Sequence, residues 1–195
     1  MSSRERILEA VKKNQPNGLP LLPIASASPA ATDLAQKFIR ALGNIGGTAI
    51  EVESWDEIPL YLADRFSAKT RWVNMIPELG NMSTADAFED PHVLENVTLS
   101  ILKGHFGVAE NGAVWITDER MGDRALPFIC EHLALVIHSD DIFNTLHEAY
   151  EHIGASPYSF GTFIAGPSKT ADIEQSLVLG AHGPKSMTVF LQRKR

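Results

Sequence analysis

The sequence predicts an α/β domain in which a mostly parallel sheet has helices on both faces. Short apolar or β-branched runs alternate along the chain with stretches of helical periodicity. The run His132–His138 is almost wholly apolar inside, which is typical of a strand covered on both faces. Strands that are separated by helices pair in parallel, because the chain must cross over between them.

The predicted elements follow an N-terminal appendage. Ser3–Lys13 has the apolar spacing of a short amphipathic helix, and a Pro/Ala/Ser-rich connection follows it. We therefore divide the chain into residues 1–31, a helix and its connection, and residues 32–195, the α/β domain. Such a helix packs either on the domain or on a partner. The predicted strands are Thr48–Val52, Arg71–Ile76, Val97–Leu102, Phe106–Ala109, Ala113–Thr117, His132–His138, Thr162–Ala165 and Met187–Leu191. The predicted domain helices run from a cap at Thr32-Asp33 to Gly43, from Ser54 or Asp56 to Ala63, from a cap at Ser139-Asp140 to Gly154, and over Ala171–Leu177.

Composition narrows the class of protein. The 195 residues suit one domain, and 44% hydrophobic with 21% charged residues is near the globular average. A net charge of −7 without a basic block disfavours binding to nucleic acid or anionic membrane. The N-terminus lacks the apolar run of a signal peptide, and no stretch is long enough to span a membrane, so we expect a cytoplasmic protein.

The chain offers few ligands for metals or clusters. Its single cysteine, Cys130, cannot alone build an iron–sulfur or structural zinc site, and its apolar neighbours predict a buried, inert thiol. His147 and His152 are five residues apart on a predicted helix, which does not place them on one face. His132 and His138 bracket a buried strand, where we expect them to satisfy backbone groups. We therefore expect no metal site.

The first candidate site is the turn Glu110-Asn111-Gly112 between two predicted strands. Asn-Gly favours a tight turn with positive φ, so Glu110 would stand at a sharp corner. Such a corner can hold a base or a nucleophile rigidly. The alternative is a plain hairpin whose carboxylate is solvated.

Two further candidates lie in the last thirty residues of the chain. The residues between a predicted strand and a predicted helix are Gly166, Ser168, Lys169 and Thr170. Free amides at a helix N-terminus, with hydroxyls and an ammonium, suit a carboxylate or phosphate, although Asp172 and Glu174 in the first helical turn compete with an added anion. An ordinary capped helix is the alternative. In the third segment, His182 and Gly183 precede Lys185, and such a histidine either exchanges protons with a ligand or serves as a local hydrogen-bonding partner. We expect all three loops at the carboxyl ends of strands, where α/β sheets bind ligands.

Together these segments resemble a known family. Gly166-Pro-Ser-Lys-Thr-Ala-Asp-Ile-Glu174 and Leu177-Val-Leu-Gly-Ala-His-Gly-Pro184, followed by a final strand, are similar to the C-terminal signature of the lactate utilization protein C family (the LUD domain). Ala109-Glu110-Asn111-Gly112 takes the place of that family's Ala-Glu-Thr-Gly turn. The resemblance runs from the first helix to the end of the chain. It implies a three-layer fold resembling the superfold of ribose-5-phosphate isomerase, glucosamine-6-phosphate deaminase and class I CoA-transferases.

The resemblance also implies a function. It implies a subunit that oxidises L-lactate to pyruvate with partners that carry iron–sulfur clusters, this chain itself holding no cofactor. Its ligand would be a small carboxylate or another anion, with Glu110 and His182 as the catalytic groups. The implied ligand contacts are Asn111, Gly112, Gly166, Ser168, Lys169, Thr170, Asp172, Glu174 and Gly183.

Two alternatives stay open. One is a stand-alone enzyme of the same superfold, because small subunits of class I CoA-transferases carry a nucleophilic Glu in a Ser-Glu-Asn-Gly turn, where this chain has Ala109-Glu110-Asn111-Gly112. The other is a non-catalytic assembly or regulatory module that grips partners through the N-terminal helix.

Overall fold

Eleven strands and six α-helices make up the computed structural model, which describes residues 2–16, 18, 33–67, 70–80, 82, 91–170, 178–180 and 182–193. The strands are β1 (Thr48–Val52), β2 (Trp72–Asn74), β3 (Leu99–Lys103), β4 (Phe106–Val108), β5 (Ala113–Thr117), β6 (His132–His138), β7 (Ile142–Phe143), β8 (Gly161–Ile164), β9 (Lys169–Thr170), β10 (Val178–Leu179) and β11 (Ser186–Gln192). The helices are α1 (Ser3–Lys13), α2 (Leu34–Asn44), α3 (Glu57–Arg65), α4 (Asp118–Met121), α5 (Leu126–Ile129) and α6 (Leu146–Ile153), with 3-10 turns at Pro77–Leu79 and Pro91–Leu94.

The central sheet has five strands in the order β1-β11-β6-β3-β2, and every neighbouring pair is parallel. Side chains on β6 alternate between two hydrophobic cores. Leu133 and Leu135 belong to one core, while Ala134 and Val136 belong to the other. A strand that is buried on both faces has a continuous apolar sequence, and this is why the sequence predicted β6.

Each face of this sheet is covered by a helix. On one face, Phe38 and Leu42 of α2 are fully buried in the first core. On the other face, Ile58 and Leu62 of α3 are buried in the second core. The predicted α/β class, with a mostly parallel central sheet, is therefore confirmed.

A second sheet shares the face that α2 covers. Its order is β7-β4-β5-β8, and its β4–β5 and β5–β8 pairs are antiparallel. The sequence predicted strands at the positions of β4, β5 and β8, though not at β7, and did not separate them from the central sheet. The chain passes between the sheets at Gly104, where a Cβ would lie 2.4 Å from Cγ1 of Val114 and 2.7 Å from Cγ2 of Ile137. Glycine therefore permits the close approach of the two sheets.

Helix α6 begins later than the sequence predicted. Ser139-Asp140 does not cap it, because Ile142–Phe143 is a strand that pairs with β4. Thr145 is the N-cap instead, and its Oγ1 accepts a hydrogen bond from the Glu148 amide at 3.2 Å. The Ser139 amide is bonded to the Gln192 carbonyl at 2.9 Å and the Asp141 amide to the His138 carbonyl at 3.1 Å, so Ser139 and Asp140 form a turn between β6 and β7.

Helix α1 forms where the sequence predicted it. Ser2 and Glu5 cap each other's backbone amides in a capping box. None of its side chains is buried, and its apolar residues Ile7, Leu8 and Val11 are 60%, 49% and 52% exposed. Among the described residues, none of the helices has the length and apolar character needed to cross a membrane.

Candidate functional site

The turn that holds Glu110 joins β4 to β5. The Asn111 side chain accepts a hydrogen bond from the Ala113 amide at 3.0 Å, and the Gly112 amide bonds to the Val108 carbonyl at 2.9 Å. Oε2 of Glu110 accepts the amide of Leu146, the first residue of α6, at 2.8 Å. A carboxylate at a helix N-terminus satisfies an otherwise unpaired amide and interacts favourably with the helix dipole. The exposed Glu110 side chain thus ties the turn to α6.

The same turn packs directly on the backbone of α2. Gly112 has a φ of +70°, and a Cβ at this position would lie 2.6 Å from the Leu42 nitrogen. Leu42 lies near the end of α2, just before β1 begins. The Glu110 turn therefore stands beside the edge of the central sheet at which its strands start.

The sequence predicted a turn from Gly166 to Thr170 that leads into the N-terminus of a helix. Lys169–Thr170 is instead the strand β9, which pairs with β10 in an antiparallel hairpin. The Ser168 amide is bonded to the Pro184 carbonyl at 2.9 Å, so this amide is not free to bind an anion. The predicted helix over Ala171–Leu177, with Asp172 and Glu174, lies outside the described residues.

His182 and Gly183 line a cleft of about 400 Å³. Its lining consists of Ala125, Phe128, Ile129, Cys130, Glu131, Gly180, His182, Gly183 and Lys185, and we call it the amino-edge cleft. The loop joins β10 to β11, and the cleft lies where β6 and β11 begin, so the expectation that this loop lies at the carboxyl ends of the central strands is wrong. His182 is exposed, and the Lys185 ammonium lies 2.9 Å from the Glu131 carboxylate.

Several of the predicted site residues come together along this edge. A Cβ on Gly183 would lie 3.1 Å from Cβ of Ser168, and a Cβ on Gly166 would lie 3.1 Å from Cδ1 of Ile45. Nζ of Lys169 lies 3.7 Å from the position that a Cβ on Gly46 would take. Within the described ranges, Glu110 and His182 share no hydrogen bond or ion pair, so they do not form one catalytic pair.

Cys130 supplies a testable prediction about the wall of the amino-edge cleft. Its side chain is 1% exposed, and burial raises the pKa of the thiol to about 11. Because the thiolate is the reactive form, we expect Cys130 to resist Ellman's reagent at pH 8 in the native protein and to react at once in guanidinium chloride. The release of thionitrobenzoate measures this. Rapid labelling of the native protein would contradict this prediction, because it would show that the reagent reaches Cys130 in the folded protein.

A second cleft, which the sequence did not predict, lies at the opposite edge of the central sheet. Lys103, His138 and Gln192 are the last residues of β3, β6 and β11, and they line it together with Trp55 and Arg120. We call it the carboxyl-edge cleft; its volume is about 240 Å³. The feature of the sequence that could have predicted this cleft is a polar residue at the end of each apolar strand.

The histidines at the two ends of β6 differ from the prediction that they satisfy backbone groups. Nδ1 of His132 bonds to the Ser186 hydroxyl at 2.7 Å. Nδ1 of His138 is buried and has no hydrogen-bond partner among the described residues. At the neighbouring His105, burial lowers the imidazole pKa and the Arg120 charge lowers it further, which favours the neutral ring. In the described part of the chain, no group of three His, Cys, Asp or Glu side chains is placed to hold a metal ion.

Comparison with known proteins adds a family likeness to this geometry. A sequence model of the LUD domain matches residues 35–191. Lactate utilization protein C from Deinococcus radiodurans is 29% identical over 95% of this chain and 91% of its own length. The protein of the same name from Oceanobacillus iheyensis is 26% identical over 53% of this chain and 47% of its own length, so the match spans about half of that relative. The crystal structure of a DUF162 family protein from Deinococcus radiodurans has a TM-score of 0.62 at 18% identity, over 82% of this chain and 96% of that one, which is a likeness of fold.

Proposed function

Because this chain belongs to the LUD domain family, we propose that it acts in lactate utilization, as a subunit of a system that oxidises L-lactate to pyruvate. The observation that carries the proposal is the family match over residues 35–191, which contains the Glu110 turn and the amino-edge cleft. Relatives named lactate utilization protein C align over nearly the whole chain.

We assign the redox cofactors of this system to partner subunits that carry iron–sulfur clusters. Such clusters are held by several cysteine thiolates, whereas this chain has only Cys130, whose burial raises its pKa to about 11. The exposed apolar residues of α1 offer a surface through which a partner subunit can bind.

The proposed ligand of the amino-edge cleft is a small carboxylate. His182 and Lys185 line the cleft as potential donors, and Ser168 packs behind Gly183. In this proposal the imidazole of His182 contacts the ligand and transfers a proton to or from it as a general acid or base. Lys185 forms an ion pair with Glu131, so the attraction of the Lys185 ammonium for an anionic ligand is reduced.

Glu110 has a positioning role in this proposal, because its Oε2 holds the first amide of α6. The stand-alone enzyme reading instead requires the Glu110 carboxylate to attack a substrate. The amide Glu110→Gln keeps an oxygen that can accept the Leu146 amide but is not a nucleophile. This substitution therefore separates the two readings.

The test is lactate-dependent reduction of an artificial electron acceptor by the complex of this chain with its iron–sulfur subunits. We expect His182→Ala to lower kcat/KM by about 100-fold, the usual contribution of a proton-transferring group. Glu110→Gln is expected to keep most of the activity. His147→Ala is the matched control, because His147 is an exposed histidine on α6 that lines neither cleft.

Each contrary result points to a different function. Full activity without this chain would refute the proposal. Loss of activity in Glu110→Gln with an intact fold would assign the chemical step to the Glu110 carboxylate, and turnover by the isolated chain without partner subunits would favour the stand-alone enzyme. If removing residues 1–17 abolishes activity while His182→Ala and Glu110→Gln are both fully active, the chain is an assembly module.

A further inference from the structure

Two neighbouring strands of the central sheet end in buried polar atoms that lack partners. Gln192 is 7% exposed, and its Oε1 has no hydrogen-bond partner among the described residues. The same is true of Nδ1 of His138, whose residue pairs with Gln192 in the register of β11 and β6. Native proteins rarely leave buried polar groups unpaired, so each such atom requires an explanation.

Both residues line the carboxyl-edge cleft. Trp55, His138 and Gln192 also line an adjoining cavity of about 500 Å³ that extends past the end of β1 to Arg193. The two cavities therefore adjoin above the ends of β1, β11, β6 and β3, and we call them together the depression. The carboxyl ends of parallel strands are where α/β sheets bind ligands.

Positive groups stand at one side of this depression. The Lys103 ammonium lies 5.2 Å from the ring centre of Trp55 and 2.7 Å from the Glu78 carboxylate. Arg120 is half-buried, and one of its guanidinium nitrogens donates to the Gly104 carbonyl at 2.7 Å. A guanidinium has five N–H donors, so this single bond leaves capacity for an anion. Asp141 also lines the cleft, and Glu53 and Asp56 line the adjoining cavity, so the anionic end of a ligand is favoured only on the side of Lys103 and Arg120.

The chemistry of these groups specifies a ligand class. An unpaired amide oxygen requires a hydrogen-bond donor, and a hydroxyl group on a ligand supplies one. Guanidinium and ammonium groups bind carboxylate or phosphate. We propose that the carboxyl-edge cleft binds a small anion that carries a hydroxyl group. The hydroxyl donates to Oε1 of Gln192, the anionic end faces Arg120 and Lys103, and His138 donates from Nδ1.

This inference does not depend on the proposed function, because it concerns binding by the isolated chain at the other edge of the sheet. Hydroxycarboxylates and hydroxylated phosphate esters share the required chemistry. Two probe pairs distinguish them: L-lactate with propionate, which lacks only the hydroxyl, and glycerol 3-phosphate with n-propyl phosphate, which lacks only the two hydroxyls of the glycerol chain.

Calorimetric titration of the full chain tests the proposal. We expect the hydroxylated member of one pair to bind about tenfold more tightly than its partner, as one additional hydrogen bond to a buried acceptor provides. Gln192→Leu is expected to abolish this preference, and Lys103→Gln to weaken both members of the pair alike. Gln36→Leu is the matched control, because Gln36 is exposed on α2 and lies outside both clefts.

The thermal midpoint shows whether the Gln192 variant is folded. Removing an unpartnered buried amide without ligand should raise Tm by about 2–4 °C, so lost binding with a raised Tm identifies a ligand contact. Equal affinity for both members of each pair, wild-type preference in Gln192→Leu, or no saturable binding of any probe would overturn the proposal. These outcomes are separate from those for lactate oxidation, which are read from His182 variants of the complex.

Discussion

Gly112→Ala is expected to destabilise the protein by about 3 kcal/mol or more, the sum of a left-handed backbone penalty and of overpacking. The φ of +70° disfavours any residue with a Cβ, and that Cβ would lie 2.6 Å from the nitrogen and 2.7 Å from Cα of Leu42. Both are backbone atoms of a helix, so the clash cannot be relieved by rotating a side chain. Urea unfolding followed by circular dichroism measures the loss.

Gly43→Ala is the matched control for this substitution. Gly43 lies in α2 one residue after Leu42, and a Cβ there would have no heavy atom within 4 Å. Alanine in an exposed helix is expected to stabilise the protein by about 0.5–1 kcal/mol relative to glycine. If both variants unfold at the same urea concentration, the Glu110 turn does not pack on α2 as described.

Phe38→Ala is expected to lower the free energy of unfolding by about 3–5 kcal/mol, the usual range for truncating a buried phenylalanine. The Phe38 side chain is fully buried, and its Cε2 lies 3.0 Å from the position that a Cβ on Gly107 would take. It thereby packs α2 against β4 of the second sheet as well as within the first core. We expect Tm to fall by roughly 10 °C, as measured by calorimetry.

Phe128→Ala is the control of identical chemistry. Phe128 is 40% exposed in the wall of the amino-edge cleft, so its removal creates no closed cavity. We expect it to change the free energy of unfolding by about 1 kcal/mol or less. A Phe38→Ala variant as stable as Phe128→Ala would contradict the packing of α2 between the two sheets.

The local parts of the candidate site could be predicted because short segments encode them. Asn111-Gly112 specifies a tight turn, and the turn forms with a positive φ at Gly112. The family signature around His182 was likewise readable from a continuous stretch. The roles of Glu110 and His182 remain predictions, and Asp172 and Glu174 lie outside the described residues.

The errors have a common physical cause. Ile142–Phe143 has helical periodicity with the residues after it, yet pairing with β4 makes it a strand. Lys169–Thr170 was predicted to be part of a turn, yet it pairs with β10 as a strand. In both places the hydrogen bonds to another strand outweighed a local preference.

The sequence by itself determined the fold class, the amphipathic α1, the buried strand β6 and the Asn-Gly turn, because each depends on neighbours within a few residues. Only the tertiary structure decided that β7, β4, β5 and β8 form a sheet separate from the central one and that His182 lies at the edge where the parallel strands begin. It alone brought Trp55, Lys103, Arg120, His138 and Gln192 together at the other edge. These residues are far apart in sequence and meet only through the order in which the strands pair, which no local pattern encodes.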